Sequence, residues 1–265
     1  MVADPFYKTH WHEIEPDRMS AYQEGFDWDE TTELLFRPAE ISTGQVVADF
    51  GCGAGKVSTE LAIQVGPNKH IHAIDINAEF LEIVSANAAA AGVSGQVTTL
   101  LNDGYSLPLT DETLDRVSAR NMIMYVDDPV DTLREFHRVR RPNGLAHAID
   151  GDWYMMVAEQ VLHGTWREFV KAASHACRNS DMGRKLRRAF IEAGFQDVEV
   201  SIMTNADVDG RLLSTIRNMA TYARESGAID HQQVDQVVAQ VEQTLSDGTY
   251  LVVSPQFVVT GRKAV

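Results

Sequence analysis

Between residues 45 and 150, short apolar runs alternate with stretches of helical period. The pattern predicts strands at 46–50, 71–75, 97–101, 115–119 and 145–150, with helices near 56–65, 78–91 and 129–140. Strands that alternate with helices in this way build a parallel sheet covered on both faces. Glu79 to Ala91 is rich in alanine, the best helix former, and Gly92 can close that helix. After residue 150 the rhythm changes. Residues 153–179 read as mostly helical, 182–193 as a helix ended by Gly194, and 198–203 as a strand. Two more helices are predicted at 211–226 and 232–246, then a last strand or pair of strands at 250–261. Before the alternating region, 13–26 and 31–36 read as helices, the second stopped at Pro38 because the residue before proline disfavours the α region.

One stretch adds chemistry to this outline. Val46-Val47-Ala48-Asp49-Phe50 runs into Gly51-Cys52-Gly53-Ala54-Gly55, and a helix follows from Lys56. A buried strand, a turn almost without side chains and a helix start form a cradle for a nucleotide-like ligand. The dinucleotide fingerprint G-x-G-x-x-G has its third glycine five residues after the first. Lys56 stands at that position here, and the third glycine comes one residue early. Asp49, just ahead of the loop, would repel a pyrophosphate but can accept hydrogen bonds from an amino group. An NAD-linked oxidoreductase is therefore the weaker reading of the loop. Cys52 reads as a small apolar filler of a tight turn rather than a nucleophile.

The pattern D-x-G-x-G-x-G resembles the first motif of class I S-adenosylmethionine-dependent methyltransferases. Further stretches resemble that family in order. Asp75 ends the second strand, where a carboxylate can take both ribose hydroxyls. Leu100-Leu101-Asn102-Asp103-Gly104 resembles the motif that reads adenine. Leu107-Pro108-Leu109 and Thr113 to Val117 resemble the "LPF…FD" stretch, and Arg120-Asn121-Met122 falls where the fourth strand ends beside the cofactor. Glu135 to Gly144 resembles the "E-x-x-R-V-L-R-P-G-G" turn, departing from it with Arg140 for leucine and Asn143 for glycine. The likeness spans roughly residues 40–150 and is nearest to the ubiquinone/menaquinone-biosynthesis branch. Stretches at 184–200 and 257–263 also resemble that branch.

The resemblance implies an α/β, Rossmann-like doubly wound sheet, mostly parallel with an antiparallel edge strand, plus a helical lid. It divides the chain into an N-terminal helical cap (1–40), a cofactor-binding core (41–150) and a lid with the last two strands (151–265). The implied cofactor is S-adenosyl-L-methionine, held by Asp49, Gly51, Gly53, Gly55, Asp75, Ile76, Asn102, Asp103, Gly104, Arg120 and Asn121. The implied function is methyl transfer to a small-molecule acceptor of natural-product, quinone-like or isoprenoid type. The alternative within this fold is a protein that binds the cofactor without transferring the methyl group. His10, His12 and Glu13 are candidate proton acceptors in the N-terminal segment, and Tyr22, Trp28 and Tyr125 are candidate walls of the acceptor site. His147, inside a strand, reads as structural.

Composition narrows the partners. The chain of 265 residues has 38 acids against 23 bases, net charge −15, which argues against a nucleic-acid partner. It has no apolar run of about 18 residues and no signal-like N-terminus, so we expect a cytoplasmic protein without a membrane span, monomeric or homodimeric. Its two cysteines make no metal-ligand spacing, and no metal is expected. Against that acidity, His163, Arg167, Lys171 and His175 follow at steps of four, with Arg178 three further on. Such a stripe is a solvated helix face or a site for an anionic acceptor, for which His163 and Arg167 are the candidates.

Overall fold

The computed structural model of the chain describes Trp11 and residues 28–104, 106–204 and 206–263. The apolar runs form the predicted parallel strands β1 (Val47–Phe50), β2 (Ile71–Asp75), β3 (Val97–Leu101), β4 (Leu114–Arg120) and β5 (Arg140–Gly151). Two later strands complete the sheet, β7 (Gln196–Met203) and β10 (Gln256–Arg262), in the order β3-β2-β1-β4-β5-β10-β7. β10 is the reversed strand. It runs antiparallel to both β5 and β7 and sits between them, so the edge itself is β7. β1 pairs in parallel with β2 on one side and β4 on the other. The strand order turns there, and such a switch point opens a crevice at the carboxyl ends of the strands.

Helices follow the strands as their sequences require. α1 (Glu30–Phe36) begins at Asp29, whose Oδ1 accepts from the Thr32 N–H at 2.7 Å. α2 (Lys56–Val65) joins β1 to β2, α3 (Ala78–Ala90) joins β2 to β3, and α4 (Pro129–Val139) leads into β5. α3 is capped by Asn77 and α4 by Asp128. One face of the sheet buries Phe50, Phe136, Leu186 and Phe190 under α4 and α6 (Met182–Glu192). The other face buries Leu61, Val65, Ile71 and Leu35 under α1, α2 and α3.

A second apolar core lies beyond the sheet. It joins α5 (His163–Ala173), α7 (Leu213–Ser226) and α8 (His231–Asp247) around Trp166, Phe169, Ile216, Tyr222 and Val237. A small antiparallel sheet lies against it: β6 (Val157–Ala158), β9 (Val252–Val253) and β8 (Ala206–Asp207), in the order β6-β9-β8. Residues 153–179 are therefore less helical than their pattern suggests. Asp152 accepts from the Tyr154 N–H at 3.1 Å and from Arg184, capping the start of one short 3-10 turn at Trp153–Met155, and the backbone becomes extended at Met156. The chain then enters β6, and the helix begins only at His163. The helix predicted at 13–26 lies outside the described residues.

The two departures in the turn before β5 have structural reasons. Asn143 sits at φ 63°, a left-handed position that asparagine tolerates. Arg140 is fully buried, donates to the carbonyls of Phe136, Gly144 and Gly261, and lies 4.5 Å over the Phe195 ring. It thereby ties β5 to β10. Burial, with Arg116 and Arg262 nearby, lowers its pKa to about 9. His147 is structural, as expected: its ring bonds Ser118 Oγ at 2.9 Å and the Leu35 carbonyl at 3.1 Å. Burial lowers its pKa to about 4.

Asp150, at the end of β5, is fully buried, and burial raises its pKa well above the usual carboxylate range. A raised folded-state pKa means the group costs no stability at acid pH. The cost appears as pH rises past about 4, where the unfolded chain ionises and the folded one does not. Asp150→Asn, neutral and of the same shape, should melt higher than the wild type, with an advantage that grows from pH 5 to pH 8. A difference in melting temperature that is flat or shrinks over that range would show Asp150 to be ionised in the fold.

Candidate active site

A cavity of about 1250 Å³ opens at the carboxyl ends of β1, β2 and β4. One ligand commonly fills roughly 300–1,000 Å³, so this space is larger than a single-ligand pocket usually is. Its near wall is the glycine loop. Gly51 and Cys52 donate to the Ile74 carbonyl at 2.8 and 3.1 Å, which pins the loop across the top of β2. The Gly53 N–H donates to Asp75 Oδ2 at 2.9 Å, while Oδ1 accepts from the Asn77 N–H at 3.0 Å. Gly55 starts α2 at φ 76°, and a Cβ there would come within 2.5 Å of Val84 on α3. Gly53, also at positive φ, differs: a Cβ there would meet no protein atom within 4 Å. The one open side of the loop thus faces the cavity that Gly53 lines.

Asp49, next to last in β1, lies beneath this loop, almost fully buried, and accepts from Ser58 Oγ at 2.6 Å. Burial raises its pKa to about 6, with the Asp75 charge adding to the rise while the Ser58 bond and Arg120 oppose it. Arg120, at the end of β4, feels the charges of Asp29 and Asp49, and burial lowers its pKa. Asn121 follows at φ 51°, left-handed for a non-glycine residue, and its N–H bonds the Ile149 carbonyl at 2.7 Å. Strain of this kind gathers where a fold over-determines a functional loop.

The structure brings together Asp49, Gly51, Gly53, Gly55, Asp75, Ile76, Asn102, Gly104, Arg120, Asn121 and Tyr125, all of which line the cavity. Asn102 is buried and folds its own loop, accepting from the Gly104 N–H and donating to the Ser106 carbonyl. Asp103 is not brought to the cavity. It is exposed, and its Oδ1 accepts from the Ser106 N–H at 3.3 Å. Trp28 packs in the core with its ring 5.1 Å from that of Phe36.

His163 and Arg167 also lie away from the cavity, on the exposed side of α5. The inner side of that helix is taken by Trp166, Phe169, Val170 and Ala173, and residues 163, 167 and 171 are exposed. The stripe also breaks, because α5 ends at Ala173 and Arg178 pairs with Asp127 at 2.8 Å. His10, His12, Glu13 and Tyr22 lie outside the described residues.

Sequence reasoning missed the far wall. Trp11 lines the cavity, with its ring edge-on to Tyr125 at 5.3 Å, and its carbonyl accepts from Asn77 Nδ2 at 2.9 Å. Asp29, Trp153 and Met156 line it too, as do Gln256 and one side of α7. The available signal was in α7, whose residues 214, 215, 218 and 221 form an uncharged polar stripe at helical spacing.

A doubly wound sheet of this order, with a glycine-loop crevice and carboxylates at or next to the ends of its first two strands, defines a methyltransferase fold. Residues 48–148 match the methyltransferase domain family. The cofactor of such a domain is S-adenosylmethionine. The chain is 27% identical to methyltransferase GfsG of Streptomyces halstedii, over 65% of this chain and 56% of that one. It is 24% identical to the demethylmenaquinone methyltransferase of Geobacillus kaustophilus, over 75% of this chain and 90% of that one. The chain spans about half the length of the first of these relatives. Among solved structures, phosphoethanolamine N-methyltransferase 2 of Haemonchus contortus, in complex with phosphomonomethylethanolamine and S-adenosylhomocysteine, shares the fold. Its TM-score is 0.63 at 17% identity, covering 95% of this chain and 59% of that one. Among the described residues, no helix is long and apolar enough to cross a membrane.

Proposed function

We propose that this protein transfers a methyl group from S-adenosylmethionine to a small-molecule acceptor held in the same cavity. The observation that carries this is the cavity itself: one continuous space of about 1250 Å³, with the glycine loop and Asp75 on one wall and α7 on the other. The donor set suits the cofactor. Asp75 offers a carboxylate to the ribose hydroxyls, Gly53 leaves an open side, and Asp49 offers a carboxylate toward the amino end. Asn102 and Gly104 border the adenine position, and Arg120 with Asn121 closes the side next to β4.

A bound sulfonium supplies an activated methyl group and a good leaving group for in-line displacement. The protein's part is then to align the acceptor and exclude water. Trp11, Tyr125 and Trp153 give the cavity apolar walls suited to that task. Where the acceptor must lose a proton, we assign its removal to His10, His12 or Glu13, because Trp11, between the two histidines in sequence, lines the cavity. The quinone-like acceptor class draws support from the demethylmenaquinone methyltransferase relative.

Asp49 gives this reading a pH signature. With its pKa raised to about 6, protonation removes the anion that meets the cofactor's amino group. Cofactor affinity should therefore fall as pH drops below about 6, by up to roughly tenfold per pH unit. Asp49→Asn should bind more weakly at pH 7.5, with a flat profile; a wild-type affinity unchanged between pH 7.5 and 5 would remove Asp49 from the site.

The proposal itself is tested by incubating the protein with methyl-labelled S-adenosylmethionine and panels of phenols, quinols, amines and isoprenoids. Label in an acceptor, with release of S-adenosylhomocysteine, is the expected result. Tight cofactor binding with no label transferred to any panel would leave a binding protein without methyl transfer.

A further inference from the structure

The wall opposite the glycine loop speaks to the chemistry of the acceptor, and the inference drawn from it rests on the methyltransferase reading above. α7 has two faces. Ile216, Met219, Ala220 and Ala223 are buried in the second core, while Ser214, Thr215, Asn218 and Thr221 line the cavity. These four are spaced as one stripe, 214, 218 and 221 at steps of four and three. Each is polar and uncharged.

Gln256 faces the same space from another element. It opens β10, paired with Gly151 on β5 and Met203 on β7, at the end of the sheet where the cavity lies. Its side-chain oxygen is buried and, among the described residues, accepts no hydrogen bond. A buried acceptor of this kind destabilises the fold unless something satisfies it, and in a cavity wall a ligand donor can do so.

Charge at this end is cancelled. Arg211 and Arg217 reach the cavity, but Arg211 pairs with Asp209 at 3.4 Å and Arg217 with Glu242 at 2.8 Å. The buried carboxylate of Asp207 lies beside them, accepting from the Arg211 and Leu212 N–H groups and from Tyr250 Oη. Among the described residues, the cavity as a whole is lined by four cations, Lys56, Arg120, Arg211 and Arg217, against four carboxylates, Asp29, Asp49, Asp75 and Asp207, whereas a diphosphate needs cations in excess.

We infer that the acceptor is an uncharged, oxygen-rich molecule. Its hydroxyl groups are read by Gln256, Ser214 and Thr215, and its apolar side lies against Trp153 and Met156. Isoprenoid diphosphates are excluded because the cavity holds no excess of positive charge, and the polar stripe selects among neutral acceptors by the placement of their hydroxyls.

The test is saturation-transfer NMR on the full chain with saturating S-adenosylhomocysteine. Catechol and phloroglucinol serve as neutral probes and geranyl diphosphate as the anionic one, with inorganic diphosphate followed separately by broadening of its phosphorus NMR line. Neutral probes should bind the wild type and bind at least fivefold more weakly to Gln256→Leu and to the double variant Ser214→Ala, Thr215→Val. Both variants should keep wild-type affinity for S-adenosylhomocysteine, which shows that the fold and cofactor cradle are intact; the double variant changes only exposed positions. Binding of either diphosphate probe in the cavity, no binding of the neutral probes, or neutral binding unaffected by both variants would overturn the inference. A wild-type chain that does not bind S-adenosylhomocysteine at all would instead overturn the methyltransferase reading beneath it.

Discussion

Asp75→Ala should lose at least tenfold in affinity for S-adenosylhomocysteine, and the loss should reach about a hundredfold. A hydrogen bond to a charged group is worth roughly 1.5–3 kcal/mol, and each 1.4 kcal/mol is about tenfold. Asp75 carries two tasks at once. Its carboxylate stands where the ribose hydroxyls are expected, and Oδ2 already accepts from the Gly53 N–H at 2.9 Å. Removing it therefore deletes a ligand contact and frees the glycine loop from the end of β2. Asp75→Asn should fall between the two, since it keeps an acceptor oxygen without the charge. Equilibrium dialysis with labelled S-adenosylhomocysteine measures all three proteins. Equal affinities would show that the carboxylate does not meet the cofactor.

Gly53→Ala should separate binding from folding. The residue sits at φ 50°, and an added methyl group meets no protein atom within 4 Å. The fold then bears only the cost of an L-residue in the left-handed region, about 1–2 kcal/mol, which lowers the melting temperature by a few degrees, roughly 2–4 °C per kcal/mol in a chain of this size. The methyl group instead occupies the side of the loop that faces the cavity, so cofactor affinity should fall about tenfold or more. Gly55→Ala makes the contrast, because its Cβ would press on Val84 at 2.5 Å and strike the fold itself. If Gly53→Ala bound S-adenosylhomocysteine as well as the wild type, the cofactor would not lie against this turn.

The core was legible because its strands are long enough to carry a pattern. Val47–Phe50 is buried on both faces and is apolar but for Asp49, and Gly51, Gly53 and Gly55 beside it all take positive φ. Asp75 could be placed from its position at the end of the second strand alone. Two-residue strands such as Val157–Ala158 and Ala206–Asp207 have no period to detect, which is why the second sheet went unseen. The basic stripe at 163, 167 and 171 is real as a pattern. Which side of a helix meets a ligand is decided by packing, however, and Trp166, Phe169 and Val170 turn the other side inward. α7 shows the converse. Its uncharged polar stripe resembles any solvated surface until the fold sets it across a cavity from the glycine loop. Trp28, a candidate pocket wall by sequence, packs on Phe36; an aromatic ring serves a core or a ligand equally well, and only position distinguishes them.

The most direct test of the central claim is a calorimetric titration of the wild-type chain with S-adenosylmethionine and with S-adenosylhomocysteine. One site per chain, with micromolar or tighter affinity for both ligands, is the result this structure predicts. Heats no larger than dilution for either ligand would contradict it, and would return the glycine loop to the dinucleotide reading that Lys56 disfavours.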